Sequence, residues 1–375
     1  MRIATIGIRG IPANYGGFEV TAENVVKRLA RRGHQITVYC RGSGKGKPRE
    51  YLGMRLIYLP SLELPHLSTP SHSTISAIDA IFRSYDAIFA FNVGNALPVL
   101  LMRIFGKKSV LFVDGLDWKR DKYGAFGRWF LRKSESLAEK VSAHIVVDAI
   151  SAKKHYLQAY GKEVHFIPSG AEITESVEKT GILEKLNIES KKYVLSVGRL
   201  TPEKRQHLIA EAFKKVKTDM KLVIVGGNRY NQEYVKKVRE AASGDDRIII
   251  AGSIYGRETD ELYFNSAVFV NASKVEGTSL SLLQAMGNGN ALLVSDIEEN
   301  HFAVHNCAIE FKVDDFDDFV EKFNLLVNDK PLQKELSERA KDVIKKYYSW
   351  DVATDKFEKL LFDAAGIKLP EENRK

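Results

Sequence analysis

The chain has 375 residues, 44% of them apolar, and a formal net charge of +8, which suits two ordinary globular domains and excludes a disordered, collagenous or short disulfide-stapled protein. Its two cysteines, Cys40 and Cys307, lie in apolar surroundings, which predicts a reducing compartment and no cysteine metal site. The start on a strand pattern and the lack of an apolar run near about 18 residues predict neither a signal peptide nor a spanning helix, hence a cytoplasmic protein. Residues 1–190 hold 27 Lys and Arg against 18 Asp and Glu, whereas the remaining 185 hold 29 against 30; the excess positive charge either meets an anionic partner on the first half or serves solubility.

The first strand pattern, RIATIGI, runs into TIGIRGIPANYGGFE at 5–19, where four glycines and a proline precede a helix near 19–32. A glycine-rich strand-to-helix turn exposes amide hydrogens and lets a phosphate come close. The dinucleotide fingerprint does not fit. Gly7 and Gly10 are separated by two residues, the next glycines are Gly16 and Gly17, and the second strand, QITVYCR, ends at Tyr39, Cys40 and Arg41 with no acid for a ribose diol. GSGKGK at 42–47 lacks the P-loop spacing and reads as a basic loop.

MRLIYLP, AIFAF, KSVLFVD, AHIVV and VHFIP follow as strands, with helices predicted at about 73–84, 95–105, 124–140 and 150–159. His34 and His144, at strand starts, read as packing or surface residues. His66 and His72 flank LSTPS in a Pro- and Ser-rich connection, either touching an acceptor or simply lying in an exposed loop. The stretch KRDKYGAFGRWFLRKSESLAEK mixes Lys119, Arg120, Lys122, Arg128, Arg132 and Lys133 with Tyr123, Phe126, Trp129, Phe130 and Leu131. Such a segment docks at an anionic membrane surface, or packs its aromatics inward and leaves the cations wet.

PSGAEITESVEKTG breaks the rhythm, and KKYVLSVGRL restarts it, followed by KLVIVGG, RIIIAG, AVFVNAS and ALLVSD with helices between. Strands alternating with helices predict an α/β chain of two successive doubly wound parallel sheets, with a ligand cleft at the C-terminal strand ends. Arg199 stands just beyond a strand and Lys204 near the next helix start, a pairing able to hold a diphosphate. In NASKVEGTSLSLLQAMGNGNALLVSD, Thr278 or Ser279 can cap a helix whose free amides suit a phosphate. Glu276 precedes that helix, and Gln284 within it offers a donor and an acceptor to hydroxyls. DDFDD at 314–318 reads as a helix cap and solvated surface, so no metal is expected.

VGRLTPEK, EGTSLSLLQAM and the terminal YYSWDVATDKFEKLL together resemble the retaining, two-domain glycosyltransferases of family 4, whose signature is Glu, seven residues, Glu. The resemblance implies two Rossmann-like domains facing a central cleft, the GT-B architecture. Residues 1–168 would form the acceptor-side domain, 169–190 a linker, 191–348 the nucleotide-sugar domain, and 349–375 a helix returning to the first domain. It implies that Arg199 and Lys204 bind the donor diphosphate, that Thr278, Ser279 and Leu280 meet phosphate, and that Glu276 faces the donor sugar. Gln284 stands where the second glutamate normally meets the ribose; the amide keeps hydrogen-bonding capacity and loses the charge.

GIRGIPANYGGFE and FVDGLDWKRDKYG further resemble the branch containing bacterial rhamnosyltransferases that extend lipid-linked polysaccharide precursors. By that resemblance Gly16 and Gly17 let the first helix approach the diphosphate and acceptor. Asp114 stands where relatives often carry a histidine, so it joins Glu276 as a catalytic candidate, with a structural strand-end carboxylate as the other reading. The implied donor is a nucleoside diphosphate sugar, foremost dTDP-L-rhamnose, with glucose, galactose or N-acetylglucosamine donors as the alternative. The implied acceptor is a lipid diphosphate-linked sugar or glycan, reached by a protein peripheral at the inner membrane face, with no cofactor required. Retention would follow a same-face route in which the departing phosphate deprotonates the acceptor and Glu276 organises the sugar. No zinc-finger spacing, RNA-binding aromatic motif or recognition-helix signal points to nucleic acid; binding of an anionic ligand without catalysis is the different-class alternative.

Overall fold

AIFAF and SVLFV are apolar at nearly every position, which a strand sustains only when both its faces are covered. The computed structural model, which describes residues 1–13, 16–62, 68–113, 115–116, 118, 124–228 and 231–369, buries both runs completely inside an eight-stranded sheet. The first unit begins β1 (Arg2–Ile6), α1 (Gly17–Arg31), β2 (Gln35–Arg41), β3 (Glu50–Tyr51), β4 (Met54–Leu59) and α2 (Ser68–Ile81). It continues β5 (Ala87–Phe91), α3 (Ala96–Ile104), β6 (Ser109–Val113), α4 (Ala125–Val141), β7 (His144–Val147), α5 (Ile150–Tyr160) and β8 (His165–Phe166). Strand order is β3-β4-β2-β1-β5-β6-β7-β8, parallel throughout except for the β3–β4 return, so the order of winding reverses between β1 and β5, where a doubly wound sheet opens a crevice.

The second unit spans Gly170–Ser349. It contains α6 (Ile182–Lys185), β9 (Tyr193–Val197), α7 (Gln206–Lys215), β10 (Lys221–Val225), α8 (Gln232–Ala242), β11 (Ile248–Gly252), α9 (Arg257–Asn265) and β12 (Val268–Asn271). Then come α10 (Leu280–Gly287), β13 (Ala291–Ser295), α11 (Glu298–Val304), β14 (Ile309–Phe311), α12 (Phe316–Asn328) and α13 (Lys330–Val343). The six strands run β11-β10-β9-β12-β13-β14, all parallel. Residues 170–190, expected as a linker, belong to this unit: Ile182 and Ile188 are buried in its core, and the Ala171 amide donates to the Tyr348 carbonyl at 2.7 Å.

The last helix, α14 (Trp350–Ala365), belongs to the first unit and packs on α1. Phe357 sits against Phe89 and Phe112, ring centroids 4.9 and 5.6 Å away. Arg28 pairs with Asp351 at 3.0 Å and Arg32 with Asp355 at 2.7 Å. Buried Glu358 takes hydrogen bonds from Arg32 at 2.5 Å and His34 at 2.7 Å, so His34 is a buried polar anchor rather than a plain packing residue. Burial opposes ionisation of Glu358, but the bonds from His34 and Arg32 outweigh it and hold the carboxyl below its ordinary range. A carboxyl whose folded value is depressed contributes stability above its unfolded value, near pH ~4.3, and loses it as pH falls through the folded value. Glu358→Gln is therefore expected to melt several degrees below the wild type at pH 7, with the gap closing below about pH 4, as thermal denaturation by circular dichroism would show.

Candidate donor site

In the second unit β9 pairs with β10 on one side and β12 on the other, so the loops leaving β9 and β12 diverge and open a crevice at their C-terminal ends. The loop after β9 carries Arg199 and Lys204; the loop after β12 carries Glu276, Thr278 and Ser279. The Lys274 amide donates to the Glu203 carbonyl at 2.8 Å and ties the two loops together. Across that tie the Lys204 ammonium pairs with the Glu276 carboxylate, whose side chain is 8% exposed. Ser273 Oγ donates to the same Glu276 oxygen at 2.7 Å. Arg199 is exposed, and its carbonyl accepts from Gln206 Nε2 at 2.9 Å.

Ser279 occupies the N-cap position of α10, yet its hydroxyl does not cap the helix. It accepts instead from Asn271 Nδ2 at 3.2 Å and lies 3.1 Å from Ser281 Oγ. The expected hydroxyl cap is thus replaced by a buried polar link back to β12. Amides of the first turn, from Leu280 onward, have no intrahelical acceptor and keep the positive end of the helix dipole for an anion. One and a half turns on, Gln284 Nε2 donates to Asp260 Oδ1 at 3.0 Å, across to the first turn of α9. Burial raises the Asp260 carboxyl above its usual range, partly offset by the Gln284 bond. Asp260 was not anticipated: in RETDELYF it reads as an ordinary acid of a helix first turn, and only the fold brings it to Gln284. Ser273 was legible in principle, three residues before Glu276.

In the first unit the glycines of the opening turn divide into two kinds. Gly7 has φ +99°, and a β-carbon there would sit 2.3 Å from the Phe91 carbonyl oxygen; Gly10 has φ +136°, with Cys40 Cβ 2.9 Å from the same imagined atom. Gly16 is the extended N-cap of α1 at φ −161°, a conformation open to any residue, and Gly17 opens the helix. The backbone need for glycine therefore falls at Gly7 and Gly10, and Gly16 and Gly17 simply leave the helix start bare. Two loop amides are already engaged: Arg9 N donates to Glu19 at 3.0 Å and Ala13 N to Glu23 at 2.5 Å.

Asp114, His66, Lys119, Arg120, Lys122 and Tyr123 lie outside the described residues. His72 is fully buried in α2, away from the exposed-loop role that its neighbourhood suggested. Near 118–133 some of the described aromatics pack inward and others face solvent. Trp118 Nε1 donates to buried Glu135 at 3.1 Å with the Arg132 guanidinium 4.4 Å over its ring, and Leu131 is buried. Phe126 and Trp129 stack at 5.8 Å and face solvent, 76% and 55% exposed. Asp315 caps α12 through the Asp318 amide at 3.0 Å, as the DDFDD pattern suggests.

Two sequence families account for the two units in turn. Glycosyltransferase Family 4 matches residues 15–175, and Glycosyl transferases group 1 matches residues 178–343. Each unit thus matches a glycosyltransferase family. Among curated relatives, the lipopolysaccharide 1,2-N-acetylglucosaminetransferase of Salmonella typhimurium is 27% identical over 56% of this chain and 60% of its own length. Sulfoquinovosyl transferase SQD2 of Arabidopsis thaliana is 22% identical over 94% of this chain and 72% of its own. The match to the Salmonella transferase thus spans about three fifths of that protein. Sucrose-phosphate synthase from Thermosynechococcus elongatus superposes with a TM-score of 0.81 at 17% identity, covering 96% of this chain and 98% of that one. Anabaena HepE in complex with UDP and glucose superposes at 0.80 with 15% identity, covering 97% and 100%. These similarities establish the GT-B fold for this chain.

Proposed function

We propose that the protein transfers a glycosyl group from a nucleoside diphosphate sugar to a lipid diphosphate-linked sugar or glycan, with retention, during cell-surface polysaccharide synthesis. The observation that carries this is the convergence of Arg199, Lys204 and the uncapped start of α10 on one strand-end crevice, a set of donors and charges suited to two linked phosphates. These groups would offset part of the negative charge on the leaving diphosphate. Glu276 is bound to Lys204 and Ser273, contacts that hold its carboxylate in place to organise the sugar in the same-face route. Asp114 keeps its role as a second catalytic candidate.

The donor sugar is better read as a hexose or N-acetylhexosamine than as L-rhamnose from dTDP-L-rhamnose. Relatives are named for N-acetylglucosamine, N-acetylgalactosamine and galactose, and a structural neighbour is complexed with UDP and glucose. Relatives from Campylobacter jejuni and Escherichia coli are named for diphospho-undecaprenol-linked sugars, which supports a lipid diphosphate acceptor here. Among the described residues no helix is long and apolar enough to cross a membrane. Exposed Phe126 and Trp129 on α4, beside Arg128 and Lys133, suit peripheral docking on an anionic bilayer.

A screen of nucleotide sugars against short-chain lipid diphosphate-sugar acceptors, read by mass spectrometry with anomeric assignment of the product, tests the reaction. Retained transfer of a hexose or N-acetylhexosamine is expected; an inverted product would overturn the mechanism, and exclusive rhamnosyl transfer the donor. In flotation with anionic vesicles, Phe126→Ser with Trp129→Ser is expected to release the protein, and unchanged flotation of that double variant would overturn the docking assignment.

A further inference from the structure

Both contacts to the Glu276 carboxylate fall on one oxygen. The Lys204 ammonium and the Ser273 hydroxyl meet Oε1, the hydroxyl at 2.7 Å, and among the described residues Oε2 has no partner. An ammonium is a point charge with rotating donors and sets no orientation on a carboxylate. A hydroxyl has a single proton, and toward an ionised carboxylate it can only donate. Ser273 is itself gripped from both sides along its backbone. Its amide donates to Asn271 Oδ1 at 3.0 Å, and its carbonyl accepts from Ser295 Oγ at 2.5 Å. That bond spends the one Ser295 proton, and Ser295 Oγ takes in return a bond from Asn300 Nδ2 at 3.0 Å. Asn300 Nδ2 also reaches the Ser295 carbonyl at 3.1 Å. Asn271, Ser273, Ser295 and Asn300 are all buried, where a lost partner is not replaced by bulk water. A connected chain thus runs from α11 past the end of β13 to the loop after β12, and it ends on Glu276. Alanine at 273 would keep both backbone bonds, so the Ser273 hydroxyl serves Glu276 and not the loop.

We propose that Ser273 is a positioning residue for glycosyl transfer: its hydroxyl turns Glu276 so that Oε2 faces the sugar, and Asn271, Ser295 and Asn300 hold Ser273 in place to do so. The inference rests on the reading of Glu276 as the carboxylate that organises the sugar. It adds what keeps that carboxylate aimed once the donor is bound. A diphosphate that draws Lys204 to itself takes away one of the two Oε1 contacts, and the Ser273 bond is the one that stays.

Single-turnover transfer to a short-chain lipid diphosphate-sugar acceptor, with saturating UDP-glucose, UDP-galactose or UDP-N-acetylglucosamine, reads the aim of Glu276, and calorimetry with UDP reads binding apart from it. Ser273→Ala is expected to lower the transfer rate about tenfold while UDP affinity stays within about threefold of wild type, because a hydrogen bond to a charged group is lost on the sugar side only. Ser273→Thr keeps the hydroxyl and is expected to recover most of the rate. Asn300→Ala is expected to slow transfer a fewfold, and to add less than about twofold to the loss in Ser273→Ala, since it acts through the same hydroxyl. In a Glu276→Gln background, Ser273→Ala is likewise expected to cost less than about twofold. Thermal melts of every variant serve as the folding control, and a purely structural role would lower melts without this non-additivity. A wild-type rate in Ser273→Ala, parallel losses of rate and UDP affinity, or a tenfold loss that persists in the Glu276→Gln background would each overturn the inference and leave the glycosyl-transfer reading standing. No transfer by the wild type from any of the three donors, with no binding of UDP, would overturn both.

Discussion

Arg199→Ala and Lys204→Ala should each lower donor turnover by about a hundredfold or more, with a smaller loss in affinity for the nucleoside diphosphate alone. Negative charge grows on the bridging oxygen and terminal phosphate as the glycosidic bond opens, so a cation aimed there is worth most in the transition state. The two variants differ in what they leave behind. Arg199 is exposed, and among the described residues its side chain has no partner while its carbonyl accepts from Gln206, so its removal should not shift the melting temperature. Lys204 is the partner of a Glu276 side chain only 8% exposed, and its loss strands a carboxylate; Lys204→Arg, which keeps the charge, should melt near the wild type and recover part of the turnover. Single-turnover kinetics with saturating donor, alongside calorimetry with nucleoside diphosphate, separates the two effects. Unchanged turnover and affinity in both alanine variants would sink the diphosphate assignment.

What the sequence disclosed here depended on whether the information was local. The parallel sheets were legible because AIFAF, SVLFV and ALLVS are apolar on both strand faces and helical patterns separate them. The β3–β4 return was not, since two residues, Glu50 and Tyr51, carry no period. The stretch 170–190 looked like a linker because its single helix has four residues, too short to show a period, although Ala171, Ile182 and Ile188 are buried in the core with Leu183 and Leu186 packed against it. At the candidate site, motif positions nominated Arg199, Lys204, Glu276 and Gln284, but their partners are set by the fold. Lys204 and Glu276 are 72 residues apart, and Gln284 and Asp260 are 24 apart. Glu19 and Glu23 claim the amides of Arg9 and Ala13 across a loop, something that glycine spacing alone cannot forecast.

Glu276→Gln should split binding from chemistry. The substitution keeps the side-chain volume and an acceptor for Ser273 Oγ, 2.7 Å away in the wild type, and removes only the charge that faces Lys204. In the ligand-free protein that carboxylate competes with a diphosphate for the same ammonium. At an effective dielectric near 20 the attraction of such a contact is of order 4 kcal/mol before desolvation is subtracted, so releasing Lys204 should tighten nucleoside diphosphate binding by a fewfold. Transfer should move the other way and fall by about a hundredfold or more if, as proposed, this carboxylate orients the sugar as positive charge develops at its anomeric carbon. The pairing thus has a physical reading as a handover: the incoming diphosphate takes Lys204, and Glu276 is left charged beside the sugar. Calorimetry with nucleoside diphosphate and rate measurements with the full donor sugar test the two halves separately. If Glu276→Gln weakens nucleoside diphosphate binding as much as Lys204→Ala does, Glu276 serves to hold Lys204 in place and its role toward the sugar falls. If transfer proceeds at the wild-type rate, the carboxylate is dispensable to the reaction and the same-face organiser must be sought elsewhere, with Asp114 the next residue to change.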